Sequence, residues 1–103
     1  MKLLIVDDEY QIRSGLQQGI DWVQLGIQEV FVADNGVTAL QVYKNKQPHI
    51  VITDISMPIM DGLELIQAIS ALSTSCKFII LSGYSEFEYT KKAIQSDVAR
   101  VAG

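Results

Sequence analysis

The stretch KLLIVDDE, residues 2–9, decides how this chain folds: four aliphatic residues run straight into three acidic ones. A short Leu/Ile/Val run ending in polar residues reads as a buried parallel strand, and open α/β sheets bind ligands outside the carboxyl ends of such strands. The same arrangement recurs where Asp54 follows IVIT (50–53) and where Ser82 follows FIIL (78–81). The recurrence places Asp7, Asp8, Asp54 and Ser82 at one edge of one sheet.

Working outward, Lys2 to Val6 is the first strand, and Gln11 to about Gly19 forms a helix in which Ile12, Leu16 and Ile20 recur at four-residue spacing. Glu29 to Ala33 makes a second strand, and Asn35-Gly36 supplies a turn and a cap for a helix through Asn45, with Val37, Leu40 and Tyr43 toward the core. Pro48 ends that helix. Ile50 to Thr53 is a β-branched third strand, followed by a loop from Asp54 through Gly62 punctuated by Pro58 and Asp61-Gly62. A helix from about Leu63 to Leu72 carries Leu63, Ile66, Ile69 and Leu72 on one stripe. Lys77 to Leu81 is a fourth strand, and Glu86 to Gln95 a helix burying Phe87, Ala93 and Ile94. Val98 to Ala102 offers a short, weak fifth strand, with no helix after it. Parallel strands joined by right-handed crossovers imply an α/β fold of three layers, with helices on both faces of the sheet.

A chain of 103 residues with 49% hydrophobic content suits one domain and leaves no room for a second. The net charge of -4 argues against this segment gripping nucleic acid, whose phosphates demand clustered Lys and Arg. Cys76, the one cysteine, cannot form an internal disulfide; no signal peptide or bilayer-length apolar run is present, and a reducing cytoplasm is the expected setting. Cys76 sits at a strand entrance as a small semi-buried residue. His49, beside Pro48, reads as a loop residue, and no second histidine exists to build a metal pair.

Adjacent carboxylates at a strand end disfavour joint ionisation unless a cation or a shared proton relieves them. Asp7, Asp8 and Asp54 therefore ask for a metal, and an all-oxygen, partly hydrated site suits Mg²⁺ rather than zinc. The plainer alternative is that Asp7, Asp8 and Glu9 cap the first helix and interact with its dipole.

Taken together, LLIVDDE (3–9), ITDISMPIMDG (52–62) and ILSGY (80–84) resemble, in order and separation, the receiver domain of bacterial two-component response regulators. The resemblance spans roughly residues 2–95. Segments IDWVQLG (20–26) and LSGYSEFEYTKKAI (81–94) are similar to the subgroup whose full-length members carry an AraC-type helix-turn-helix output domain. The resemblance implies a flavodoxin-like, doubly wound parallel sheet of strand order 2-1-3-4-5 within a single receiver domain over 1–103. It implies that Asp54 accepts a phosphoryl group from a sensor histidine kinase, in a signalling domain rather than an enzyme. It further implies Mg²⁺ ligated by Asp8, by Asp7 largely through water, by Asp54 and by the backbone carbonyl of Ser56. Ser82 matches the switch hydroxyl that turns toward the phosphoryl group. Pro58 and Gly62 fix the direction of the loop after Asp54. Thr53 points into a helix layer, and Tyr84, Phe87, Tyr89, Lys91 and Lys92 carry packing or surface roles. DNA is reached only through an output domain outside this chain.

The chain departs from the family at its end. It has no lysine after Lys92, whereas receivers carry one in a Lys-Pro pair closing the fifth strand; Val101 stands at the aromatic switch position and Asp97 where the family has glycine. ARVAG matches poorly, and no fifth helix follows. Two expectations result: slow phosphoryl acceptance, and a sheet edge on the fourth-strand side open to pairing with another chain, giving oligomerisation such as a dimer, partial disorder or low stability.

Three other functions fit parts of the pattern. A Mg²⁺-dependent phosphohydrolase would use Asp54 as nucleophile, but Ile55 and Ser56 follow where a nearby acid is common. A flavin-phosphate binder needs a glycine- and hydroxyl-rich first loop, and DDEY stands there instead. A receiver-like interaction module would work without phosphorylation.

Overall fold

The computed structural model describes residues 1–81 throughout and 98–102 as a backbone strand. The elements run β1 (Lys2–Val6), α1 (Tyr10–Gly19), β2 (Glu29–Ala33), α2 (Gly36–Lys46), β3 (Ile50–Asp54), α3 (Gly62–Leu72), β4 (Lys77–Leu81) and β5 (Val98–Ala102). All strands are parallel, in the order β2-β1-β3-β4-β5. The expected helix over Glu86–Gln95 lies outside the described residues. The register is regular except for a shift between Phe78 and Ile79 where β5 joins β4, so on that side β5, not β4, forms the edge.

Strand alternation divides the core into two layers. Leu4 and Val6 of β1, with Val51, Phe78 and Ile80, pack against Ala39 and Tyr43 of α2 and Leu65, Ile66 and Ile69 of α3. Leu3, Ile5, Ile27 and Ile52 line the opposite face, where Leu16 and Trp22 cover them. The Trp22 indole N–H donates to the Leu16 carbonyl at 3.0 Å, which anchors the α1–β2 turn to the helix.

Helix boundaries follow local chemistry. Asn35 caps α2 by accepting from the Thr38 N–H at 2.8 Å. Asp61 and Glu64 form a reciprocal capping box at the start of α3, with bonds of 2.8 and 3.1 Å. The faces differ from expectation in a systematic way. Val37 and Leu72 are exposed, and the residues buried in their place are Ala39 of α2 and Leu65 of α3. A strict three-residue spacing falls about 60° short of a full turn at each step, so Leu72 lies half a turn round from Leu63. Ile12 of α1 and Ile20 at its C-cap are also exposed; only Leu16 of that series reaches the core.

Candidate functional site

Three carboxylates meet at the carboxyl edge of the sheet. One oxygen from each of Asp7, Asp8 and Asp54 lies within 4.8 Å of the others, although Asp54 is 46 residues from Asp8 in sequence. Parallel pairing of β1 with β3 produces this: Val6 stands opposite Thr53, so the residues following each come out side by side.

Asp7 is the most constrained of the three. It is buried, its N–H donates to the Ala33 carbonyl of β2 at 3.2 Å, and its Oδ1 accepts from the Glu9 N–H at 2.8 Å. Burial pushes its carboxyl above the usual range; the Glu9 hydrogen bond opposes that, and the charges of Asp8 and Glu9 add to it. Asp8 is exposed and Asp54 half-buried. The capping alternative for the acidic run is not what the side chains do: Glu9 occupies the cap position of α1 without a side-chain cap bond, and no acidic residue lies in the first turn.

Asp54 is oriented from its own strand end. Its Oδ1 accepts from the Ile55 N–H at 2.8 Å, and its carbonyl accepts from the buried Thr53 hydroxyl at 2.8 Å. Gly62 then closes the loop after Asp54: its N–H donates to the Ile55 carbonyl at 2.8 Å. A Cβ on Gly62 would stand 2.0 Å from the Asp54 carbonyl oxygen, so only glycine allows α3 to start so close to this residue. Gly36 is equally tight against Met60, where a Cβ would lie 2.4 Å from the carbonyl oxygen. The two glycines thus clamp the 55–61 loop from α3 and from α2. Between them, Ile59 holds a left-handed backbone with φ of 71° while 82% exposed, a costly conformation for a β-branched residue.

Of the sequence-derived candidates, Asp7, Asp8 and Asp54 converge. Ser56 lies exposed on the loop two residues beyond Asp54. Ser82 lies outside the described residues. His49 is exposed just before β3, where its Nδ1 accepts from the Lys2 N–H at 3.0 Å. Cys76 is buried, and burial pushes its thiol up to about 11. The sequence reading missed the contacts of Gly36 and the role of Arg13, whose Nη1 donates to the Asp7 carbonyl at 2.8 Å.

A cavity of about 710 Å³ lies at the opposite, amino edge of the sheet, bordered by Lys44, His49, Leu72 and Lys77. Lys44 and Lys46 lie in the last turn of α2, where they complement its terminal carbonyls. The three carboxylates do not line this cavity. No helix among the described residues is long and apolar enough to cross a membrane.

Comparison with known proteins agrees with this architecture. The YesN transcriptional regulatory protein of Bacillus subtilis is 50% identical over 97 residues, covering 94% of this chain and 26% of the relative. The HptR transcriptional regulatory protein of Staphylococcus aureus is 44% identical, with 94% and 38% covered. The chain therefore spans well under half the length of these relatives. Among solved structures, the REC domain of AraT, a response regulator from Geobacillus stearothermophilus, superposes with a TM-score of 0.89 at 37% identity, covering 98% of this chain and 78% of that one. A two-component transcriptional regulator AraC from Clostridium phytofermentans gives 0.86 at 37% identity, covering 99% and 78%. Residues 3–101 match the response regulator receiver domain family, and the chain belongs to that family of two-component signalling domains.

Proposed function

We propose that this domain carries a phosphorelay signal by accepting a phosphoryl group on Asp54 from a sensor histidine kinase. The observation that carries this reading is the convergence of Asp7, Asp8 and Asp54 within 4.8 Å at the carboxyl edge of a receiver sheet. In the transfer, a carboxylate oxygen of Asp54 forms the new bond to phosphorus as the phosphorus–nitrogen bond of the kinase phosphohistidine breaks. The electron pair stays on the imidazole, and Asp54 becomes an acyl phosphate. The Ile55 N–H holds one carboxylate oxygen at 2.8 Å, and the Gly62 contact fixes the carbonyl behind it.

The donor set fits a hard divalent cation: three carboxylates, no sulfur or imidazole, and one carboxylate that is both buried and crowded by like charge. Asp7, Asp8, Asp54 and the Ser56 carbonyl would hold Mg²⁺, which when bound neutralises charge on phosphoryl oxygens. Ser82 serves as the switch hydroxyl. The domain is the substrate of this transfer rather than a turnover enzyme, and residues 1–103 act as one receiver unit. Its effect on transcription runs through a DNA-binding segment elsewhere in the full protein, in keeping with the names of its relatives and the net charge of -4. The setting is the cytoplasm, where the kinase's transmitter and the DNA are both accessible.

Phosphotransfer from a histidine kinase to the wild type and to Asp54→Ala, with and without Mg²⁺, tests the proposal. Label on the wild type only, and only with Mg²⁺, is the expected pattern. Equal labelling of Asp54→Ala would overturn it.

A further inference from the structure

Arg13 reaches the turn that carries Asp7 and Asp8 through the backbone rather than through a carboxylate. Its Nη1 donates to the backbone carbonyl of Asp7 at 2.8 Å, its guanidinium lies over the Tyr10 ring at 5.5 Å, and among the described residues it forms no ion pair. An arginine so close to carboxylates ordinarily forks onto one, because the bidentate pair is the stronger bond. Here one guanidinium N–H goes to the Asp7 backbone carbonyl instead.

The consequence for Asp7 is a three-point hold. Its N–H is tied to Ala33, its side chain to the Glu9 N–H and its carbonyl to Arg13, whose own N–H donates to the Glu9 carbonyl at 3.1 Å. The β1–α1 turn is thus closed from strand β2 on one side and from the first turn of α1 on the other. The exposed side chain of Asp8 takes its direction from that turn and from its hydrogen bond with the Asp7 side chain.

We infer that Arg13 is a positioning residue for the carboxylate cluster: through the Asp7 carbonyl it sets the Asp7–Asp8 turn in the geometry that receives a divalent cation. The inference rests on the metal-binding reading above. It makes a prediction whose sign separates it from simple electrostatics. Removing a positive charge near three carboxylates would, through Coulomb's law alone, draw Mg²⁺ in more tightly. Removing a hydrogen-bonded support behind metal ligands weakens binding, commonly by about 10–100-fold.

The test is calorimetric Mg²⁺ titration of the wild-type chain, Arg13→Met and Arg13→Lys at neutral pH and matched ionic strength. Arg13→Met keeps the aliphatic stem and loses both donor and charge; its Kd is expected to rise about tenfold. Arg13→Lys keeps a cationic donor for the single carbonyl and is expected to recover most of that loss. Hydrogen exchange at the Glu9 amide is expected to quicken in Arg13→Met, with the Ile5 and Val51 amides unchanged, which a general loss of stability would not produce. An unchanged or lower Kd in Arg13→Met overturns the inference, as does a lysine variant as weak as the methionine one. If Arg13→Met does not fold, the lysine variant and its Glu9 amide decide the matter by the same criteria. A wild type that binds no Mg²⁺ would instead sink the metal reading on which the inference stands.

Discussion

Replacing Gly62 by alanine sets two physical effects of opposite sign against each other. Gly62 is the first residue of α3, and helix propensity alone favours alanine over glycine by about 1 kcal/mol. The added Cβ, however, would stand 2.0 Å from the Asp54 carbonyl oxygen, 2.9 Å from its carbonyl carbon and 3.0 Å from the Ile55 Cα. These are backbone atoms, so no side-chain rotation relieves the overlap, and the start of α3 must move about 1.4 Å from the end of β3 to reach ordinary contact at 3.4 Å. Overpacking of this kind costs about 1–3 kcal/mol. With the capping box at Asp61 and the Gly62 N–H bond to Ile55 both on the displaced segment, a net loss of about 2 kcal/mol follows, or about 10 °C in the thermal midpoint of a domain this size. Asp54 moves with its carbonyl, and a misplacement of about 1 Å in a reacting group costs on the order of 10²-fold in rate. Thermal unfolding by circular dichroism, with initial rates of phosphoryl labelling, measures both. Gly15→Ala is the control, because Gly15 is inside α1 with nothing within 4 Å of its Cβ position, and it is expected to gain up to about 1 kcal/mol. A Gly62→Ala protein as stable as the wild type would refute the close-approach argument.

Other consequences are open to measurement. Because burial raises the Asp7 carboxyl above its unfolded value, its contribution to stability is present below the ordinary carboxylate range and is lost as pH rises through the folded value. Metal-free Asp7→Asn is therefore expected to be more stable than the wild type at neutral pH by about 1 kcal/mol, to lose that advantage in acid, and to lose stabilisation by Mg²⁺; a lower midpoint at neutral pH would count against this. Ile59→Gly removes a left-handed β-branched residue whose side chain is exposed, so chemical denaturation should show a gain of about 1 kcal/mol, and a loss would mean the strain is absent. Cys76, 6% exposed and with its thiol pushed up to about 11, should react with a disulfide reagent only as fast as the protein opens, and immediate labelling of the native protein would contradict its burial. Pairing of copies through the β5 edge would appear as concentration-dependent sedimentation, and a monomer at all concentrations would remove it.

Much of this architecture was legible in the sequence because parallel strands announce themselves. Lys2–Val6 and Lys77–Leu81 begin and end where the change from apolar to polar residues puts them, and Glu29–Ala33 where polar and apolar residues alternate, its outer positions partly open to solvent. Asp7, Asp8 and Asp54 were legible for the same reason: a residue just past a buried strand has one place to go. Helix faces were harder. The stripes through Val37 and Leu72 followed three-residue steps that drift around a 3.6-residue helix, and the side chains that replaced them, Ala39 and Leu65, lie off that pattern. The tightest features of the site were not legible at all. Gly36 against Met60 and Gly62 against Asp54 are contacts across a folded loop, and Arg13 on the Asp7 carbonyl involves a backbone atom that carries no sequence signal.

The most direct measurement is incubation of the 103-residue chain with acetyl phosphate, with and without Mg²⁺, followed by peptide mass spectrometry of the wild type and of Asp54→Asn. A single phosphoryl adduct is expected on the Asp54 peptide, dependent on Mg²⁺. Labelling that ignores Mg²⁺, or that persists undiminished in Asp54→Asn, would contradict the account.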